Sequence, residues 1–340
     1  MFLRNNAIID KQLEHAYPSM KAFYCFVFII SCVYTRAQER LRTTHYVFNS
    51  YLLNPAVSGI DNYIDIKMGY RDQWKGIEGA PVTQYVSIHA PVGNDFVRSS
   101  INSFPGEGDN PMSRSYVNNY SWAEPHHGVG FYILNDKAGQ INQTTINATY
   151  AYHIGLSNDV NLAFGISGGV SSISVDVEHV KVDDTSDPLL SADYNNRIRP
   201  DIGAGLWLYS AQYFLGISAK QLLGSRAVTD NGQQSILPYQ KPVFYGTTGY
   251  KFFLADEIAL IPSVLLTYWL NAPLAIDANF KFAFRDKVWV GGSFRNNDSY
   301  SVLAGLNIGY FLNLSYSYDI TTSALRNISE VHMSWYWVSC

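Results

Sequence analysis

Residues 277–284 read Asp277, Ala278, Asn279, Phe280, Lys281, Phe282, Ala283, Phe284, so an apolar set alternates with a polar or small one. Only a backbone with a two-residue period gathers such a set on one face, and that backbone is a β-strand. Residues 128–136 repeat the pattern, with Val129, Phe131 and Ile133 against Gly128, Gly130 and Tyr132. Residues 63–70 set Ile64, Ile66, Met68 and Tyr70 against Asp65, Lys67 and Gly69. Further candidate strands lie at 82–88, 142–155, 160–177, 201–209, 213–220, 243–253, 258–268, 274–284, 288–295, 300–309, 312–319 and 329–338. The total is about fourteen, each near the length a tilted strand needs to cross a membrane. Helical periodicity is nearly absent beyond the N-terminus. With 25 Tyr, 18 Phe and 25 Gly but only 15% charged residues, the chain has an all-β composition rich in aromatic surface.

Alternation alone does not say which face is inside. In a soluble sandwich the apolar face points inward and a second sheet must cover it, whereas in an outer-membrane barrel it meets lipid and polar groups line the interior. An N-terminal secretory signal, an even number of strands, short connections and aromatic residues near strand ends together favour the barrel. The expected fold is therefore all-β: a closed transmembrane antiparallel barrel of about fourteen strands. Closure is an energetic requirement, because an open sheet edge in hydrocarbon leaves unpaired N–H and C=O groups at several kcal/mol each. The last strand, with Val331, Met333, Trp335 and Trp337 on one face, is the one expected to pair with the first.

Met20 and Lys21 precede an apolar run from Ala22 to Ile30, too short to span a bilayer as a helix, and Thr35, Arg36, Ala37 puts small residues where a signal peptidase reads. Residues 1–37 are read as a signal peptide, with Met20 the true start and Gln38 the first mature residue. Two alternatives stay open: an uncleaved anchor, and lipoprotein processing at Cys32 after Ile29, Ile30 and Ser31. Of the three cysteines, Cys25 and Cys32 fall in that segment and Cys340 remains, so the mature chain has no partner for a disulfide. Removing four basic and two acidic residues from the 24 and 28 of the whole chain leaves 20 and 26, a net charge of −6. Such a balance argues against a nucleic-acid partner.

The stretch 45–92 organises the rest. Its second half is a β-hairpin, with Gly76, Gly79 and Pro81 in the connection; its first half, punctuated by Asn54, Pro55, Ser58 and Gly59, is a structured lead-in spanning residues 38–62. Phe48, Asn49, Leu53, Asn54, Pro55, Ala56 and Gly59 are followed by Tyr70, Arg71, Gln73, Trp74, Gly76, Gly79, Ala80, Pro81 and Thr83. Together they resemble the opening signature of the PorP/SprF family of Bacteroidetes outer-membrane proteins, which serve type IX secretion and gliding motility. The resemblance continues at Asn135, Asp136 and Gly139, at Tyr150, Ala151, Tyr152 and His153, and at Pro200, Asp201, Gly203 and Tyr209, covering most of the chain after Gln38. One departure is the end of the chain, where Val338, Ser339 and Cys340 follow Trp337 while family members usually end on an aromatic residue.

The resemblance implies a non-enzymatic accessory protein that helps export or retain a large surface adhesin. The expected partners are outer-membrane lipid, the adhesin, and periplasmic or outer-membrane components of the secretion machinery. A porin or substrate-specific channel is the alternative. By resemblance the partner surface comprises Asn49, Asn54, Pro55, Gly59, Arg71, Trp74, Gly79, Pro81, Asn135 and Asp136, although Arg71, Trp74 and Lys75 also suit an aromatic belt with snorkelling charge.

No HExxH, P-loop or dinucleotide fingerprint is present, and the GxSxG match at 165–169 falls inside the candidate strand 160–177 rather than at the strand-to-helix turn a nucleophile elbow needs, so no cofactor is expected. His126 and His127 read as a loop pair that would face opposite ways in a strand, and Asp183, Asp184, Asp187 and Asp193 lack an EF-hand's glycine and terminal glutamate, so no metal is expected. The barrel occupies residues 63–340 with a long insertion at 93–127, where the alternation of short turns and long loops calls for a short periplasmic turn. That insertion is expected either to dock a partner on the periplasmic side or to fold into the lumen, a disordered excursion being equally compatible with its composition.

N-terminal sequencing of protein purified from membranes is expected to begin at Gln38. An acylated Cys32 at the N-terminus, or recovery in a soluble periplasmic fraction, would falsify this processing scheme.

Overall fold

The computed structural model describes residues 49–73, 79–93, 114–175, 197–223 and 241–322, apart from 271, 286, 297–298 and 309–311. Fourteen strands form one sheet: β1 (Asp65–Asp72), β2 (Val82–Val92), β3 (His126–Ala138), β4 (Ile141–Ser157), β5 (Val160–Val175), β6 (Arg197–Tyr209), β7 (Tyr213–Lys220), β8 (Val243–Tyr250), β9 (Phe252–Ala255), β10 (Ile258–Trp269), β11 (Ala275–Phe284), β12 (Val288–Arg295), β13 (Ser299–Ile308) and β14 (Leu312–Thr321). Each pairs antiparallel with its neighbour in sequence, except that β8 and β9 both pair with β10. These two are halves of the single strand expected at 243–253. The break falls at Lys251, whose N–H is drawn to the carbonyl of Gln212 (2.7 Å) and whose Nζ donates to that of Ala211 (3.0 Å).

Every strand expected between residues 63 and 319 is present. The expected closing strand, 329–338, lies outside the described residues, and β1 and β14 share no ladder. The sheet nevertheless curls until its two ends approach: Arg71 Nη2 on β1 lies 3.0 Å from Asp319 Oδ2 on β14, with both side chains buried. Curvature is also plain within the sheet, where Lys220 on β7 reaches the Tyr132 hydroxyl on β3, four strands away, at 2.6 Å.

The alternation resolves in the sense that membrane spanning requires. Phe280 is 49% exposed and Phe282 38% on the outer face, while Asn279 between them is 6% exposed on the inner one. Along β1 the outward set is Ile66, Met68 and Tyr70, continuing the exposed Ile64 just before it; on β12 it is Val288, Val290 and Phe294. The inner face carries buried Ser, Thr, Asn, His, Arg and Asp, the reverse of a soluble core. Cross-strand register builds this inner face in layers. Asn279, Ser293, Ser301 and Asp319 stand side by side on β11 to β14, as do Asp277, Arg295 and Ser299 one layer further on. In the opposite direction the layers turn apolar, through Ile261 and Leu303 to Ala259, Ala283 and Trp289.

Antiparallel order puts the short connections 158–159, 210–212, 256–257 and 285–287 at the end where β1 begins, and 176–196 and 221–242 at the other. The described part of the 93–127 insertion sits at the short-turn end. A single-turn helix, α1 (Arg114–Asn118), leads to Tyr120 and Ala123, both buried. The Trp122 N–H donates to the carbonyl of Asn158 (2.8 Å), and Asn161 ties down both Ala123 N and the Tyr120 hydroxyl (2.8 Å each). Trp122 covers Gly155, where a Cβ would stand 2.4 Å from its ring. Among the described residues no helix is long and apolar enough to cross a membrane, a criterion that leaves strands untouched.

In vesicles, Phe280→Arg or Phe282→Arg is expected to cost about 2–4 kcal/mol near the membrane midplane, and Asn279→Arg much less. Urea unfolding of the refolded protein measures this; a larger loss at Asn279 would reverse inside and outside.

Candidate functional site

Residues 49–64 precede β1 and join no strand, so their backbone groups must find partners elsewhere. Two single-turn 3₁₀ helices, η1 (Ser50–Leu52) and η2 (Pro55–Val57), satisfy part of that need. The sequence dictates the second: Pro55 occupies its first position, where no N–H is missed, and the Asn54 side chain accepts from Ala56 N at 3.0 Å as its N-cap.

The remaining carbonyls are taken by side chains of the wall. Lys220 Nζ donates to Leu52 O (2.9 Å), Ser218 Oγ to Leu53 O (2.8 Å) and His153 Nε2 to Ser58 O (2.8 Å), while His126 sits between two carbonyls, its Nε2 3.0 Å from Gly59 O and its Nδ1 2.7 Å from Glu124 O. The Gly59 N–H donates to His89 Nδ1 at 3.3 Å. These contacts fix tautomers. His153 must carry its proton on Nε2, leaving Nδ1 to accept from the Tyr209 hydroxyl at 3.0 Å. His89 accepts through Nδ1, so its Nε2 proton faces Asp65 Oδ2, 3.3 Å away. The rings of His126 and His153 stack at 4.5 Å.

Side chains of the segment reach the wall in turn. Asn49 Nδ2 donates to Ser87 Oγ (2.8 Å), and the Tyr51 and Ser58 hydroxyls share Thr149 Oγ1 at 2.8 and 2.7 Å. Asn54 Nδ2 donates to the carbonyls of Leu206 and Ile217 at 2.9 and 3.2 Å. Burial pushes the Tyr51 hydroxyl well above the usual tyrosine range, so it stays protonated. Leu52, Val57 and Ile60 complete an apolar cluster with Trp207, Phe214, Ile261, Trp289 and Leu303.

The wall is hollowed to receive this segment. A Cβ on Gly128 would stand 1.8 Å from Ser58 O, one on Gly130 2.4 Å from the Tyr51 hydroxyl, one on Gly165 2.2 Å from Ala56 N, and one on Gly205 2.0 Å from Asn54 Oδ1. Gly59 itself has φ +72 and lies against Gly128, a close approach of two backbones that only glycine at both positions allows.

The residues expected to form one partner surface thus divide between two places. Asn49, Asn54, Pro55 and Gly59 are buried against the wall, where Asn49 Nδ2, the Asn54 side chain and the Gly59 N–H are engaged by this chain. The others gather at the far end of β1 to β4. There Arg71 pairs with Asp319, and the carbonyl of Pro81 accepts from Gln73 N (2.9 Å). Gly79 (φ +76) accepts from Gly139 N (2.8 Å), while Asn135 Nδ2 donates to Asn142 Oδ1 and Thr144 Oγ1 (2.9 and 2.8 Å). Asp136 is the register partner of Thr83 on β2. Trp74 lies outside the described residues, as do Asp183, Asp184, Asp187 and Asp193.

His126 and His127 are not in a loop. They open β3 and do face opposite ways, His126 inward and His127 outward with its Nδ1 2.7 Å from the Tyr150 hydroxyl. His89, His126, Ser218 and Lys220 were not singled out by sequence as site residues, although each stands on the inward parity of its strand. Among the described residues no group of three or more His, Cys, Asp or Glu is disposed to hold a metal.

His153→Ala would leave Ser58 O buried without its donor and is expected to destabilise the protein by about 1–3 kcal/mol. His153→Gln, which retains an N–H, should lose less. Urea unfolding distinguishes the two; an Ala variant as stable as the parent would show that the histidine does not hold the segment.

A family model described as "Type IX secretion system membrane protein PorP/SprF" matches residues 35–333. No curated protein matches the chain. Among solved structures, a triple mutant of the Rh. blastica porin is similar over 82% of this chain and 99% of its own, at 9% identity and a TM-score of 0.32. A double mutant of the same porin aligns over 82% and 98%, at 10% identity and a TM-score of 0.31.

Proposed function

We propose a function from one premise: the chain belongs to the type IX secretion system membrane protein family PorP/SprF. The reading is an outer-membrane β-barrel without catalytic activity, delivered by a signal peptide ending at Ala37, that supports export or surface retention of a large adhesin. Its partners are lipid around the outer face, the adhesin, and other components of the secretion system. The observation that carries this reading beyond family membership is the segment at residues 49–60. With its interior filled by its own chain through more than a dozen residues of fitted wall, the barrel in this arrangement leaves no clear path for a solute, and what it offers is its surfaces.

Within this reading the ten residues of the signature have two roles. Asn49, Asn54, Pro55 and Gly59 hold the interior together, and Arg71, Trp74, Gly79, Pro81, Asn135 and Asp136 shape the far rim of β1 to β4 on which a partner docks. The channel reading retains one supporting observation, the polar layers of Asn279, Ser293, Ser301 and Asp319 on the inner wall.

Deleting the gene is expected to remove a large adhesin from the cell surface while uptake of small solutes continues unchanged. Surface proteomics of the deletion strain, with complementation by the intact gene, reads both. An intact surface proteome combined with impaired uptake would replace the secretion role with the channel.

A further inference from the structure

We propose that the barrel is a latent hydrophilic pore, for hydrated ions and small polar solutes, held shut by its own residues 49–60. The inference rests on the membrane-barrel part of the reading above and is independent of the secretion role.

Size is the first argument. Sheets of about eight strands close on an interior that their side chains fill, and those of sixteen to eighteen leave an aqueous channel. With β9 sharing the place of β8, the described sheet already has thirteen places in its circuit, so its side chains alone leave space over. Residues 49–60 take up that space on the side of β2 to β7, as the hydrogen bonds to Ser87, Thr149, His153, Leu206, Ser218 and Lys220 show.

The second argument is how the segment is held. No ladder pair among the described strands includes a residue before Asp65, so the segment can leave without breaking a rung of the sheet. Its attachments are side-chain hydrogen bonds and apolar contact, which form and break as a unit. Such an element has two discrete arrangements, in or out, and its equilibrium can be biased.

The third argument is the chemistry of the inner wall. Asn279 has neither amide atom hydrogen-bonded, and Ser167 Oγ, Ser293 Oγ and Ser317 Oγ also lack partners, although all four residues are buried. Amide and hydroxyl groups are costly to bury without partners, so a wall lined by them is suited to contact with water. Water admitted when the segment withdraws would pair them, and the hydroxyls of Thr145, Thr149 and Ser218 on the vacated wall would join the same hydrated lining.

The test is single-channel recording of the full-length protein in planar bilayers, with heat-modifiability on gels reporting folding separately. The wild type should be closed with brief openings. Gly165→Val and Gly128→Val place side chains where Ala56 N and Ser58 O now lie, and should raise the open fraction about tenfold or more, which corresponds to about 1.4 kcal/mol against the closed state. A Ser58→Cys/Thr149→Cys pair in a Cys340→Ser background, whose parent oxygens are 2.7 Å apart, should abolish openings when oxidised and restore them on reduction. Folded glycine variants that conduct no more than the wild type would overturn the gate. So would an oxidised cysteine pair that opens as the wild type does, a result that stands even if the glycine variants fail to fold. Loss of the secretion role in the deletion strain would leave these outcomes unaffected.

Discussion

A stretch of backbone that adds no strand has to be hydrogen-bonded inside a wall of strands, and the interior of this protein is arranged around that requirement. A sheet spends its own N–H and C=O groups on its ladders, so only side chains remain to satisfy an enclosed segment. Four carbonyls of residues 52–59 therefore draw Lys220, Ser218, His153 and His126 to the inner face, and the buried N–H of Gly59 draws His89. Each recruit needs support of its own. Tyr209 donates to the free Nδ1 of His153, Asp65 faces His89, and Tyr132 shares the Lys220 ammonium, so a polar shell spreads from the segment over six strands.

This polar interior coexists with an apolar outer face, and the two are compatible only because alternation is strict. Were β11 to slip by one residue, Phe280 and Phe282 would enter the lumen and Asn279 would meet hydrocarbon. Buried ion pairs reinforce the register rather than the stability: desolvating Arg71 with Asp319, or Arg295 with Asp277, costs about what the attraction returns. Their positions are nonetheless specific, since the first links the two ends of the sheet and the second bridges adjacent strands at one level.

The strands and their faces were legible in the sequence because a period of two needs only neighbouring residues to be seen. Asn54–Pro55 was legible as punctuation for the same reason, since its cap is made two residues away. The contacts that give it meaning are not local. Asn49 meets Ser87 38 residues later and Lys220 meets Leu52 across 168, and no periodicity encodes those distances. The apolar pattern of β3 begins at Gly128 and leaves His126 in the connection, yet register with His153 carries the strand two residues further. The break at Lys251 was hidden because the residues on both sides, Tyr250 and Phe252, are apolar and exposed. What interrupts them is a turn on the neighbouring strands, at Ala211 and Gln212.

The family signature can now be read physically. Asn49, Asn54, Pro55, Ala56 and Gly59 belong to the enclosed segment, His153 and Tyr209 to the clasp that holds it, and Gly79 with Gly139 to a contact between adjacent turns at the rim. A buried group whose hydrogen bonds are spent within its own chain has none to offer a partner without first breaking them. Most of the signature therefore describes how this interior is constructed. At the rim of β1 to β4 the signature is itself divided, with Gly79 exposed and Asn135 and Asp136 half-buried while Arg71, paired with Asp319, and Pro81 are as buried as the enclosed segment.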